Sequence, residues 1–437
     1  MVTTVEASQG TGGYFPRWTV KTGGVIMPEE RLPWAQTIIS GLQHSVAMAG
    51  ATIVAPIIMG FDPSVALFFS GVGTLIFFLL VGGRVPSYLG SSFSFIAVVI
   101  AASAYSGHGP NPGLDVALGG IVAAGVLYGL IALIVMGTGS AWLEHLMPPV
   151  VTGAVVAVIG LNLAPVAVKA VSGSQFDAWI GLITVLIIGL IAVTTTGIWQ
   201  RLPVIIGAAA GYVLYLLFTN GLGWGKPIDL TALAAAPWVG LPKFMAPSFH
   251  ANAMFLIAPV AIILVAENLG HIKAIAAMTG RNLDAYLGRA FLGDSIATIV
   301  SAFGGGTGVT TYAENIGVMA ATRVYSTVLF IVAAIAAILL GLSPKFGALI
   351  LSIPGPVIGG LSIVLFGLIA AMAGRIWVQN RVDFAKPRNL ITVAVALTAG
   401  AGDLTLKFGD FTMGGIGTAT FGAIILYQIL AWDRSKE

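Results

Sequence analysis

From Pro33 to its end the chain is a succession of apolar stretches, each about 17 to 22 residues long, separated by short loops that hold nearly all the charges. Rising about 1.5 Å per residue, such a stretch crosses the roughly 30 Å hydrocarbon layer of a bilayer as a single helix. Spans are expected at 35–58, 64–82, 91–103, 116–136, 149–169, 177–195, 202–219, 253–271, 284–303, 312–321, 324–342, 355–373, 389–402 and 411–431, fourteen in all. Composition agrees, since 57% of the 437 residues are hydrophobic and 8% are charged, against about 25% charged in a soluble domain. The fold class is therefore an all-α polytopic membrane protein. The absence of cysteine excludes disulfide frameworks, thiol catalysis and thiolate metal sites. A net charge of +3 points to loops that orient the chain in a membrane, and no nucleic-acid partner is expected.

Two of the segments, the third and the tenth, are too short to cross as simple helices. They follow RVPSYLGSSFSF and FGGGTGVTTYAEN, which are rich in Gly, Ser, Thr and strand formers, so each reads as a short strand running into a helix. Irregular backbone at membrane depth must be buried in protein or line a cavity. The two segments hold equivalent places in two runs of seven, and an odd number of spans inverts the second run relative to the first. The expected organisation is a cytoplasmic tail (1–32), a first seven-span repeat (33–219), an external linker (220–252), a second repeat (253–432) and a cytoplasmic tail (433–437). With both termini on one side, that side collects fourteen Lys and Arg residues and the other collects Lys169, Lys226, Lys243, Lys345 and Lys407. This asymmetry places the termini in the cytoplasm.

Charged groups at membrane depth cost about 2.5–3.5 kcal/mol each on insertion scales. Glu267 and His271 are four apart in LIAPVAIILVAENLGHIKA and share a helix face. Glu314, followed by Asn315, opens the short tenth helix, where the dipole favours anionic or carbonyl-bearing partners. His44 lies mid-span beside Gln43. Singly, these residues read equally well as a closed Glu267–His271 pair, a capping carboxylate and a satisfied interhelical donor. Together, beside an unwound segment, they favour a polar ligand site. Arg289 and Asp294, five apart, read as structural, and Asp403 and Asp410 as solvated. No Walker A, HExxH or GxSxG pattern occurs, so neither ATP-driven transport nor intramembrane hydrolysis is expected.

The run ENIGVMAATR, Glu314 to Arg323, resembles the signature of the nucleobase–ascorbate transporter family, also called nucleobase cation symporter 2. Asn315, Gly317, Thr322 and Arg323 fit its fixed positions. Gln43-His44 is similar to the family's first-span motif, YLGSSFSF to its third-segment turn and AENLGH to its eighth-span site. Glu314 at the first signature position resembles the uracil permease branch, whereas xanthine and urate permeases carry Gln there. The resemblance implies a core domain from spans 1–4 and 8–11, a gate domain from spans 5–7 and 12–14, and a homodimer. It implies that Glu267 and Glu314 hold the base, that backbone amides near Phe93 and Ala313 meet its carbonyls, and that His271 and Tyr312 line the site. The uracil permeases have Gly where this chain has Ala313, which bears on selectivity.

Uracil is planar, neutral at pH 7, and offers two N–H donors and two carbonyl acceptors, complementary to two carboxylates and two helix-start amides. Phe93 and Tyr312 can cover its faces. The expected function is a proton-coupled symporter importing uracil and related pyrimidines across a bacterial inner membrane, with Glu267 or His271 carrying the proton. No metal and no cofactor beyond the proton are expected. The competing readings are a passive facilitator, a purine permease of the same fold, and a membrane enzyme using Glu267, His271 and Glu314 as a metal site.

Overall fold

The computed structural model describes residues 13–105, 110–196, 202–408 and 411–431. The expected C-terminal tail 433–437, the first twelve residues, and Arg201, Asp410, Arg434 and Lys436 lie outside the described residues. Before the first helix, β1 (Thr19–Val20) pairs in parallel with β2 (Glu30–Arg31). Burial raises the Glu30 carboxyl, but the Met27 N–H and the Lys21 ammonium bonded to it bring it below the ordinary carboxylate value.

α1 (Trp34–Met59) and α2 (Pro63–Leu80) lead into β3 (Leu89–Ser91), a 3-10 turn (Phe93–Phe95) and the short α3 (Ile96–Ala102). α4 (Leu114–Thr138) returns, and α5 (Ala141–Leu146) connects it to α6 (Pro149–Val171), α7 (Gln175–Thr194) and α8 (Pro203–Leu216), which runs on as a π turn (Leu217–Gly221). The linker carries the five-residue α9 (Thr231–Ala235). Then come α10 (Ala251–Ile257), α11 (Val260–Thr279), α12 (Leu287–Phe303), β4 (Val309–Thr311) and α13 (Ala313–Thr322). α14 (Val328–Gly341), α15 (Pro344–Leu351), α16 (Gly355–Gln379), α17 (Pro387–Ala401), the hairpin β5 (Leu406–Phe408) with β6 (Phe411–Met413), and α18 (Gly415–Ala431) complete the chain.

Among the described residues eight helices are long and apolar enough to cross a membrane, counting α8 with its π turn and α10 with α11 as one each. Their outward faces are apolar. On α7, Trp179, Leu182, Leu186, Leu190 and Val193 are all exposed, an apolar stripe at helical spacing that suits an apolar surrounding and not water.

Local chemistry sets the boundaries. Asp62 caps α2 by accepting from the Ser64 N–H at 2.8 Å, with Pro63 at the first helical position. α1 ends at Gly60 with φ 77°, the left-handed conformation that favours glycine. The eighth segment differs from its expected 253–271. It is broken before Val260, where Pro259 donates no backbone hydrogen bond, and it then continues to Thr279. The fourteenth, expected from 411, begins with β6 and becomes helical at Gly415. The eleventh, expected from 324, starts at Val328 because residues 324–327 are bonded to the N-terminal segment.

Helices pack through small residues. α6 lies against α16 with Gly160 on the Phe366 carbonyl, α4 against α12 with Gly125 on Ile299, and α2 against α14 with Gly71 on the Ala334 carbonyl. One set of helices packs around α2, α4, α12 and α14, and another around α6, α7, α8, α16, α17 and α18.

A candidate substrate site at two helix starts

β3 and β4 run antiparallel, pairing Leu89 with Thr311, Gly90 with Thr310 and Ser91 with Val309. This buried ladder joins the two short segments back to back, so the 3-10 turn at Phe93 and helix α13 start beside one another and lead away in opposite directions. Additional bonds lock the crossing: the Ser92 N–H donates to the Gly308 carbonyl at 2.9 Å and the Thr307 hydroxyl to Ser91 Oγ at 2.7 Å. Tyr312 donates its hydroxyl to the Ser91 carbonyl at 2.8 Å, and its ring lies against Gly90, where a side chain would collide with it. Tyr312 leaves α13 without a side-chain cap. The first amides of this helix therefore have no intrahelical acceptors and no capping oxygen from Tyr312.

In front of this crossing is a cavity of about 280 Å³. Phe93, Glu267, His271, Tyr312, Ala313 and Glu314, the six residues singled out in the sequence as substrate-binding, all line it. Its remaining walls are largely apolar, including Val156 and Ile159 of α6 and Ile369 and Met372 of α16, and Arg375 and Gln379 stand toward one end of α16. Phe93 is fixed edge-on to Phe366 at 5.7 Å between ring centres.

The polar groups have separate supports. Ser94 Oγ donates to Glu267 Oε2 at 3.3 Å, and His271 Nδ1 lies 2.9 Å from Thr311 Oγ1. Glu267 and His271 thus do not close on each other among the described residues, which disposes of the pairing the sequence left open. Behind them, Asn268 donates to Asp294 Oδ2 at 2.6 Å and to the Tyr128 hydroxyl at 3.0 Å, and the Thr311 hydroxyl lies 3.4 Å from Asn268 Oδ1. Sequence reasoning missed Ser94, Thr311 and Asn268 as supports because Ser, Thr and Asn are common in broken helices. The signal available was position, since Asn268 lies between Glu267 and His271. Asp294, fully buried, belongs to this network, whereas Arg289 stacks over the Tyr14 ring, so the two do not meet.

The supporting motif residues are spread around the site. His44 is buried edge-on to Phe330, and neither it nor Gln43 lines the cavity. Asn315 reaches Ser87 Oγ at 3.4 Å. Gly317 faces a second, apolar cavity of about 320 Å³ between α1, α8, α13 and α16, which also touches Glu314. The Thr322 hydroxyl bonds the Val318 carbonyl and Arg323 ends α13 with φ 56°. Asp403, at an exposed loop edge as expected, accepts from the Gly415 N–H at the start of α18. Among the described residues no three His, Asp or Glu side chains converge as a metal site requires.

Residues 35–408 match the family model Xan_ur_permease, described as the permease family. The chain belongs to this permease family. The permease is 60% identical to "Putative pyrimidine permease RutG" of Escherichia coli K12, over 95% of each chain. It is 41% identical to a uracil permease of Bacillus caldolyticus, over 92% of this chain and 94% of that one. It is 38% identical to a uracil permease of Escherichia coli K12, over 93% and 95%. In fold the permease is similar to SLC26A9, with a TM-score of 0.66 at 12% identity over 91% of this chain and 65% of that one. It is also similar to the transmembrane domain of the cyanobacterial bicarbonate transporter BicA, with a TM-score of 0.60 at 15% identity over 90% and 96%. It is a multi-pass, mostly helical membrane transporter and not an enzyme.

Proposed function

We propose that this permease is a proton-coupled symporter that imports uracil and related pyrimidine bases across a bacterial inner membrane. The observation that carries the reading is the meeting of Glu267, Glu314 and the start of α13 in one cavity. The Glu314 carboxylate and the carbonyl oxygen of protonated Glu267 accept the two N–H groups of the base, helix-start amides near Phe93 and Ala313 donate to its carbonyls, and the Phe93 and Tyr312 rings bound its faces. His271 lines the same cavity and is the second candidate, after Glu267, for carrying the proton. Uracil permeases among the relatives supply the cargo, and the Glu at position 314 accords with it. The proposed architecture is fourteen crossings in two inverted seven-span repeats with both termini cytoplasmic. The core comprises α1–α4 and α10–α14 with their strands, the gate comprises α6–α8 and α16–α18, and the working unit is a homodimer. On that orientation the cavity leads past Arg375 and Gln379 to the cytoplasm.

Neutral cargo gains nothing from the membrane potential. A proton carried with it adds about 2.3 kcal/mol per 100 mV and about 1.4 kcal/mol per pH unit. Glu267 takes up the proton from outside, the neutralised site binds base and moves past the gate, and both are released inside. Uptake of labelled uracil by vesicles tests this, with unlabelled competitors and a protonophore. Uracil is expected to compete far better than xanthine or urate, and accumulation is expected to collapse with the proton gradient. Accumulation that never exceeds equilibrium indicates a passive facilitator, and preference for xanthine a purine permease.

A further inference from the structure

Two stretches of extended chain touch neither the cavity nor one another. Residues 13–31 precede α1, and residues 237–249 precede α10. The first crosses the end of α2, where the Tyr14 hydroxyl donates to the Leu79 and Leu80 carbonyls, and then reaches the junction between α13 and α14. There the Ile26 N–H donates to the Arg323 carbonyl at 3.0 Å and the Tyr325 N–H to the Ile26 carbonyl at 2.8 Å. Trp18 Nε1 donates to Thr327 Oγ1 at 2.9 Å, which in turn donates to the Pro28 carbonyl. Glu29 pairs with Arg281 beyond the end of α11.

The second stretch makes the corresponding contacts at the opposite face. It crosses the end of α12, where the Met245 N–H donates to the Gly304 carbonyl at 3.3 Å. It then reaches the start of α4, just after α3, where the Ser248 N–H donates to the Asp115 carbonyl at 2.9 Å. The glycines match as well. Gly82, after α2, and Gly305, after α12, have φ of 63° and 89°, and a side chain on either would strike Tyr14 or Met245 of the crossing segment. In a chain of two inverted halves, α2 corresponds to α12 and the α3–α4 junction to the α13–α14 junction. Both segments therefore make the same two contacts at related places.

We infer that residues 13–31 and 237–249 are equivalent parts of the two repeats, and that each is a clasp on the junction between the half-helix contributed by the other repeat and the helix that follows it. Residues 13–31 hold the end of α13, and residues 237–249 hold the start of α4, the helix that follows α3. The inference deepens the two-repeat reading and rests on it. A ten-residue helix is marginal by itself. The β3–β4 ladder fixes the start of α13, where Glu314 stands, and the clasp fixes its end at Thr322–Arg323, the last two fixed positions of the signature. Ile26 and Trp18 are accordingly positioning residues for Glu314, which they do not touch. The contacts of residues 13–31 fall on α2, α13, α14 and the end of α11, all in the proposed core, so this clasp stays closed throughout transport.

The absence of cysteine makes this testable in the full-length chain. Ile26→Cys with Val324→Cys, at bridged positions, is expected to transport uracil at the unlinked rate after oxidation. Ile26→Pro, which removes the N–H bonded to Arg323, is expected to raise the KM for uracil roughly fivefold with a smaller effect on maximal rate. It is also expected to speed amide exchange in 313–322 while leaving 355–379 unchanged. Ser248→Pro, which removes the N–H bonded to Asp115, is expected to speed exchange at the start of α4. If Ile26→Pro fails to reach the membrane, Trp18→Ala, which loses one hydrogen bond and one ring contact, is read in the same way. Transport lost on oxidation and restored by reductant overturns the inference, and so does unchanged exchange in 313–322. Exchange needs no cargo, so a wild-type chain that does not carry uracil refutes the functional proposal while the clasp is still judged.

Discussion

Glu267 and Glu314 reach one cavity from unlike surroundings. Glu267 projects from the middle of α11 and accepts a single bond from Ser94, whereas Glu314 is the second residue of α13, where the helix dipole favours a negative charge. On the proposed mechanism the carboxylate without a helix start carries the proton, and the one with it is the fixed acceptor. Glu314→Gln is expected to weaken uracil binding by about 1.5–3 kcal/mol, roughly tenfold to a hundredfold, as measured by titration of the purified protein. Glu267→Gln is expected to retain exchange of labelled for unlabelled uracil while losing accumulation driven by an imposed pH gradient, because an amide imitates the protonated acid but releases nothing. Accumulation that survives in that variant moves the proton to His271.

Among elements, the β3–β4 ladder sets the precision of the site. Its close approach depends on Gly90, against which the Tyr312 ring rests. Gly90→Val is expected to lower stability by about 1–3 kcal/mol through overpacking, and to impair uracil binding more than an exposed Gly→Val change such as Gly422→Val. Thermal unfolding in detergent and binding titration, run in parallel, check both. Both broken segments were legible from their Gly, Ser and Thr content, and Glu267, Glu314 and His271 from the cost of charge in apolar runs. Pairing of the segments with each other was not legible, because a three-residue strand carries too little alternation to name a partner 200-odd residues away. Nor was the break before Val260, because Pro259 lies in an otherwise continuous apolar run that marks depth and not curvature. His44 gave the same signal as His271, yet it packs on Phe330. Periodicity does not distinguish a cavity from a neighbouring ring.

For the whole molecule, orientation is the property that charge asymmetry predicts. Single cysteines introduced at residue 230 and at residue 21 are expected to react with an impermeant reagent from opposite sides, the first from outside. Reaction of residue 230 from the cytoplasmic side alone reverses the topology. The two helix sets also predict different partners in cross-linking. Their separation could not be read from hydropathy, because a helix facing a neighbour through Gly160 or Gly125 is as apolar as one facing lipid.

The ladder that builds the site also governs the order in which the protein can be made. Ser91 waits for Thr307, 216 residues further along. At about 5–20 residues per second a ribosome takes on the order of ten to forty seconds to supply it. Until then the edge of β3 has no mate, and unpaired backbone is not tolerated in hydrocarbon. The nascent first half must therefore be sheltered, by water, by the insertion machinery or by a chaperone. Quality control during biogenesis falls on the same short ladder that fixes the two helix starts of the candidate site.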